Sequence, residues 1–209
     1  MNAKVLALVQ RENAAAGGPS GRAELRDVYD LDSMELSSYT GVVVSGHCDQ
    51  RFLCKQREVL ERWVVEGGRL LINGHPHLGF LSELPRTRKL EFHTQSELAL
   101  AEVEPHPIWS GIDRRDVLFK TGVPGVHSFE ELKRIGVAGF YAHAYLVGLP
   151  RGTRVITGIG AHRLPVDVSY PLGSGEVIVH CGNDLAVFAH RGTTAERLPE
   201  QVMCYLEGR

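Results

Sequence analysis

The sequence predicts an α/β protein whose sheet is mainly parallel and gains an antiparallel portion late in the chain. Three observations lead there. Lys4 to Val9 (KVLALV), Gly41 to Ser45 (GVVVS) and Arg69 to Asn73 (RLLIN) are short runs apolar on both faces, as strands covered by helices on each side must be. The second and third of these flank a segment with helical period, and residues 41 to 74 have the length of a right-handed crossover unit. Near the C-terminus two more strand patterns are separated by a turn alone.

Each element has its own signal. Ala14 to Gly21 is rich in Gly, Ala, Pro and Ser and reads as a loop. Ala23 to Leu31 (AELRDVYDL) alternates apolar and polar residues, which suits a strand nearer the sheet edge, with a short helix as the alternative. From Asp49 to Glu66 the pairs Phe52/Leu53, Val59/Leu60 and Trp63/Val64 recur at helical spacing, Asp49 can cap the start, and Gly67 can take the left-handed position after the end. Ser96 to Val103 reads as a strand or short helix, the Pro105-His106-Pro107 region as irregular with His106 shaping a turn, and Asp116 to Lys120 (DVLFK) as a strand. Arg154 to Thr157, Val166 to Tyr170 and Glu176 to Val179 are strands, the last two joined by Pro171 to Gly175. Pro199 fits the first turn of a closing helix whose Val202, Met203 and Leu206 face the sheet. No linker or repeat interrupts residues 1–209, so a single domain is expected.

Composition narrows the partners. The chain has 209 residues, 43% hydrophobic and 23% charged, and its 23 Lys+Arg against 25 Asp+Glu give a net charge of -2. That balance supplies no basic field for nucleic acid or an anionic membrane surface. No run approaches the roughly 20 apolar residues of a membrane helix, and the opening MNAKVLALVQ lacks a long apolar leader segment. Cys48, Cys54, Cys181 and Cys204 form no C-x-x-C pair, which points to free thiols in a reducing cytoplasm. The partners this admits are a small polar molecule and a second copy of the chain; no cofactor is expected.

Histidine is the one excess, at ten residues. Three strands end alike: Ser45-Gly46-His47-Cys48-Asp49, Asn73-Gly74-His75-Pro76-His77, and His180-Cys181-Gly182-Asn183-Asp184. The carboxyl ends of parallel strands converge on one ligand-binding edge, and strands lie roughly 4.8 Å apart. His47, His75, His77 and His180 are therefore expected to line one crevice. Gly46 and Gly74 would bring backbone N–H groups close to a ligand, and Asn73, Asn183 and Asp184 would add polar contacts. His127 and His143 would sit on its rim. Gly173-Ser174-Gly175 lacks the lysine and following helix of a phosphate loop and reads as a hairpin turn.

The chain resembles the class I glutamine amidotransferase-like superfamily, and within it the trehalose-utilisation (ThuA-like) branch. The resemblance rests on GVVVSG, WVVEGGRLLINGH, PHPIWSGI at 105 to 112, and PVDVSYPLGSGEVIVHCGND at 165 to 184. It implies a flavodoxin-like three-layer sandwich with its site at the strand ends. Catalytic members of the superfamily carry a cysteine on the turn after the strand that corresponds to Arg69 to Asn73. Here that turn reads Asn73-Gly74-His75-Pro76-His77, with no Cys, Ser or Thr. The thioester mechanism is therefore not expected, and His180, placed much like the family's catalytic histidine, lacks its nucleophile.

The leading reading is a domain that binds a small polar or sugar-like ligand at the strand ends. One alternative is a hydrolase using Cys48 as nucleophile, favoured by the N-terminus of the helix after it, with His180 or His75 as base. Another is a metal enzyme ligated by His47, His75, His77 and His180, with Asp49 or Asp184. Against the last, the capping role is the simpler reading of Asp49, and Pro76 separates His75 from His77.

Overall fold

A computed structural model describes residues 4–10, 21–120, 123, 127–136 and 139–209. The loop expected over Ala14 to Gly21 lies, as far as residue 20, outside the described residues. The first half of the chain contains β1 (Val5–Val9), β2 (Glu24–Asp27), β3 (Gly41–Val44), α1 (Gln50–Lys55), α2 (Arg57–Val65), β4 (Arg69–Asn73), β5 (Arg86–Lys89) and β6 (Leu100–Glu102). The second half contains α3 (Arg114–Val117), β7 (Phe119–Lys120), α4 (Phe129–Ile135), β8 (Gly139–Phe140), β9 (Ala144–Val147), β10 (Arg154–Ile159), β11 (Leu164–Leu172), β12 (Gly175–His180) and α5 (Leu198–Leu206).

Eight strands make one sheet in the order β2-β1-β3-β4-β12-β11-β10-β6. The pairings from β2 to β12 are parallel, and those from β12 to β6 antiparallel. The mainly parallel α/β sheet and its late antiparallel portion are thus as expected. All residues of β1 and β3 are buried, and successive side chains of a strand point to opposite faces. On one face Leu6, Leu8, Val42, Val44 and Leu70 pack with Leu53 of α1 and Leu60 and Val64 of α2. On the other, Val5, Ala7, Val43 and Leu71 pack with Leu198, Val202, Met203 and Leu206 of α5. This is the three-layer sandwich.

Several local expectations need correction. The helix expected over Asp49 to Glu66 is two: at Gln56 the backbone leaves helical geometry (φ -96°, ψ 10°), and its N–H is shared between the carbonyls of Phe52 and Leu53. Asp49 does cap α1, accepting from Arg51 and Phe52 N–H, and Gly67 has φ 117°. Asp116 to Lys120 is not one strand. Asp113 caps α3 through the Arg115 N–H, and the buried Asp116 carboxylate accepts from the N–H and hydroxyl of Thr194, tertiary contacts that override a strand-like composition. The strand in Ala23 to Leu31 ends at Asp27, and a 3₁₀ turn follows over Val28–Ser33. Ser96 to Val103 holds both alternatives, a 3₁₀ turn (Gln95–Leu98) and β6. The hairpin loop shrinks to Gly173 and Ser174, since Leu172 already pairs with Gly175. The β5/β9 pair and α4 were not anticipated.

Candidate functional site

The three turns at the strand ends are joined to one another. Asp184 accepts from the Ser45 hydroxyl and the Gly46 N–H, both at 2.7 Å. Asn73, buried at the end of β4, donates its amide to the Val44 carbonyl at 3.3 Å and accepts the Leu185 N–H at 3.1 Å. Gly46 and Gly74 stand so close that a Cβ on Gly74, whose φ is +96°, would lie 2.6 Å from the Gly46 Cα. Gly46, Asn73 and Asp184, expected to face a ligand, therefore spend these groups within the strand-end turns, Gly46 and Asp184 on each other and Asn73 on Val44 and Leu185. The spaces beside them are small, about 20 Å³ next to Asn73 and Asp184 and about 10 Å³ between Gly46, Gln50 and Pro76.

Above this frame sits a group of imidazoles. His75 is half-buried, with the His143 ring 4.8 Å away edge-on and the His77 ring at 6.2 Å. Gln50 of α1 holds their loop: its amide donates to the His75 carbonyl at 2.9 Å and its carbonyl accepts from His77 N–H at 2.9 Å and Leu78 N–H at 3.0 Å. Burial, then the nearby His143, His180 and His77, pushes His75 down to about 4, so its ring is neutral at physiological pH. His77 and His143 are exposed, as are His47 and Asn183; the Asn183 amide reaches the Phe140 carbonyl at 3.4 Å.

His180 lies deeper, fully buried on the α5 side of the sheet. Its Nδ1 meets Asp167 Oδ1 at 2.6 Å, and Asp167 Oδ2 accepts from the Tyr141 hydroxyl at 2.8 Å. That hydroxyl accepts in turn from Trp109 Nε1 at 2.8 Å. Burial and the Asp167 charge hold the Tyr141 hydroxyl well above the ordinary phenol range. With Nδ1 turned to Asp167, the ring's other nitrogen, Nε2, is buried with no hydrogen-bond partner. The Gly182 backbone covers it: a Cβ there would lie 2.8 Å from Nε2 and 1.8 Å from the Tyr141 carbonyl oxygen. Asp167, Tyr141 and Trp109 were missed in the sequence. The signal for Asp167 was available, because a turn of two residues at Gly173 and Ser174 sets a register in which Asp167 faces His180.

The thiols are not arranged for attack. Cys48 is buried and donates to the Leu8 carbonyl at 3.2 Å, and burial, with the Asp184, Asp27 and Asp49 charges adding to it, pushes it up to about 12. The dipole of α1, six residues long, does not offset this. Cys181 lies 3.6 Å from His75 Nδ1, yet burial pushes it up to about 12 as well. The Cys48 nucleophile thus has no support in the geometry. Among the described residues, no three His, Cys, Asp or Glu side chains are grouped to hold a metal ion, and no helix is long and apolar enough to cross a membrane.

No protein-family model matches the chain, and no curated protein matches it by sequence. Solved structures share its fold. Cytoplasmic protein STM1381 of Salmonella typhimurium LT2 superposes with a TM-score of 0.56 at 11% identity, over 98% of each chain. Cytoplasmic protein STM3548 of Salmonella typhimurium gives 0.54 at 12% identity, over 88% of this chain and 80% of that one. The cold-adapted β-galactosidase of Rahnella sp. R3 gives 0.51 at 14% identity, with 98% of this chain matching 31% of the enzyme. Likenesses at this identity describe architecture and carry no activity across.

Proposed function

We propose that the chain is an amidotransferase-like domain without thiol chemistry that binds a small polar, hydroxyl-bearing molecule on the rim formed by His75, His77 and His143, with Asn183 at its edge. The observation that carries this is His75, a ring kept neutral by burial on the turn where a nucleophile would otherwise stand. A neutral imidazole donates one hydrogen bond and accepts another, which suits a hydroxyl and offers an anion no charge. The molecule rests on the imidazoles, and Gly46, Gly74, Asn73 and Asp184 serve as the support of their turns. Placement beside the trehalose-utilisation branch rests on the sequence segments named above. A cytoplasmic location is favoured by four unpaired cysteines and by the description of the two Salmonella proteins.

A thermal-shift screen of neutral sugars and polyols tests the reading. The expected result is a stabilising compound whose effect disappears in His75→Ala and persists in Cys48→Ser. A compound that stabilises His75→Ala as well as the wild type overturns it.

A further inference from the structure

The two nitrogens of the His75 ring meet different surroundings. Nδ1 stands 3.6 Å from the buried Cys181 sulfur. Nε2 has no hydrogen-bond partner among the described residues and, unlike Nε2 of His180, is not sealed from solvent. Backbone bonds hold both sides of the Nδ1 contact. Cys181 directly follows β12, and its N–H donates to the Val166 carbonyl at 2.8 Å, while Gln50 ties the backbone of His75, His77 and Leu78. The other polar side chain at the sulfur is Thr87, and its hydroxyl already gives its hydrogen to the Pro76 carbonyl at 3.1 Å. The hydrogen between sulfur and imidazole must then come from the thiol or from the ring itself.

We infer that Cys181 is a positioning residue of the His75 rim: its thiol donates to His75 Nδ1, fixes the ring's proton on Nε2, and leaves the rim a hydrogen-bond donor there. This rests on the rim being a binding place and sets the polarity of its contact. Burial keeps the thiol protonated, at about 12, and the ring neutral, at about 4, so a single ring nitrogen carries a proton. Sulfur is a weak acceptor, and an imidazole lone pair takes a hydrogen more readily, so S–H···N is favoured over N–H···S. The reverse arrangement, with Nδ1 donating to sulfur and the thiol hydrogen turned to Thr87, uses the sulfur in both of its weak capacities. A molecule resting on the ring must therefore bring an acceptor oxygen, of a hydroxyl, ether or carbonyl. A hydroxyl fits by its lone pair, with its own hydrogen directed elsewhere.

The test is imidazole nitrogen NMR on the full chain at neutral pH with no ligand added, the His75 signals being identified by their loss in His75→Ala. The expected result is a lone-pair shift at Nδ1 and a protonated shift at Nε2. Cys181→Ala removes the donor, and both resonances should move toward the tautomer-averaged values of a free imidazole. Cys181→Ser keeps a donor and should stay closer to the wild-type pattern than Cys181→Ala, an order that a purely apolar packing role for the sulfur would not produce. A proton on Nδ1 in the wild type overturns the inference, as does a Cys181→Ala pattern identical to the wild type. Because the wild-type measurement needs neither a variant nor a ligand, it is separate from the sugar screen. If the pattern holds and no sugar or polyol stabilises the chain, the binding reading falls and the role of Cys181 stands.

Discussion

His75 and His106 are both pushed down to about 4 by burial, yet they stand in opposite kinds of neighbourhood. Around His75 the turns are bound to each other through Asp184 and Asn73. Around His106 the space is about 490 Å³ and buried polar atoms lack partners. A buried, neutral ring thus comes with tied backbone turns in one place and with open space in the other, so burial alone does not set how a histidine's surroundings are built.

The contrast can be broken most forcefully at Asp167. Asp167→Ala removes the acceptor of both His180 and Tyr141 in a dry interior and should cost about 3–5 kcal/mol, read as a lower urea midpoint. A loss under about 1 kcal/mol would mean that the strand-end region is not a bonded frame. Next in size is thiol reactivity. A group at about 12 against an ordinary value of 9.0 carries about a thousandfold less thiolate. Cys48 and Cys181 should label correspondingly more slowly than a model thiol, as intact mass would show; rapid labelling would reopen the nucleophile. Gly182→Ala drives a methyl into the Tyr141 carbonyl and should cost about 1–3 kcal/mol by the same denaturation assay.

The pH response compares the two histidines directly. Both have folded values below the ordinary 6.5, so the unfolded chain binds more protons as pH falls. Stability is full above 6.5 and is lost as pH drops toward 4, by at most about 1.4 kcal/mol per pH unit for each ring. His106→Phe and His75→Phe should each flatten this limb, and by similar amounts, because both rings are held at about 4. A limb left unchanged by either substitution would show that its ring is not held down in the fold.

The layers were legible because β1, β3 and β4 are apolar on both faces, a pattern that leaves the chain little choice. Gln56 was not, since both sides of it keep a helical period and the break is a backbone event. The helix at Arg114–Val117 depends on Asp113 and on Thr194, some eighty positions away, and no local pattern announces it. In the site, His75 and His77 were found as neighbours, with His143 beside them as expected for the rim. The hydrogen bond of Cys48 was hidden because its acceptor is the Leu8 carbonyl of another strand. Asp167 stood in plain view inside VDVSY, and counting back from the two-residue turn would have set it against His180. Tyr141 and Trp109 reach the same carboxylate from segments that only the folded sheet brings together.

The line of bonds from Trp109 through Tyr141 and Asp167 to His180 also gives the molecule an internal optical probe. The chain has two tryptophans, and Trp63 is tied elsewhere, to the Tyr39 carbonyl. In Trp63→Phe all indole emission comes from Trp109, whose N–H rests on a hydroxyl that Asp167 holds. A proton gained or lost at Asp167 or His180 should then change the fluorescence of a residue two hydrogen bonds from the carboxylate. The state of this buried pair can be followed by light, with no substrate known and no label attached.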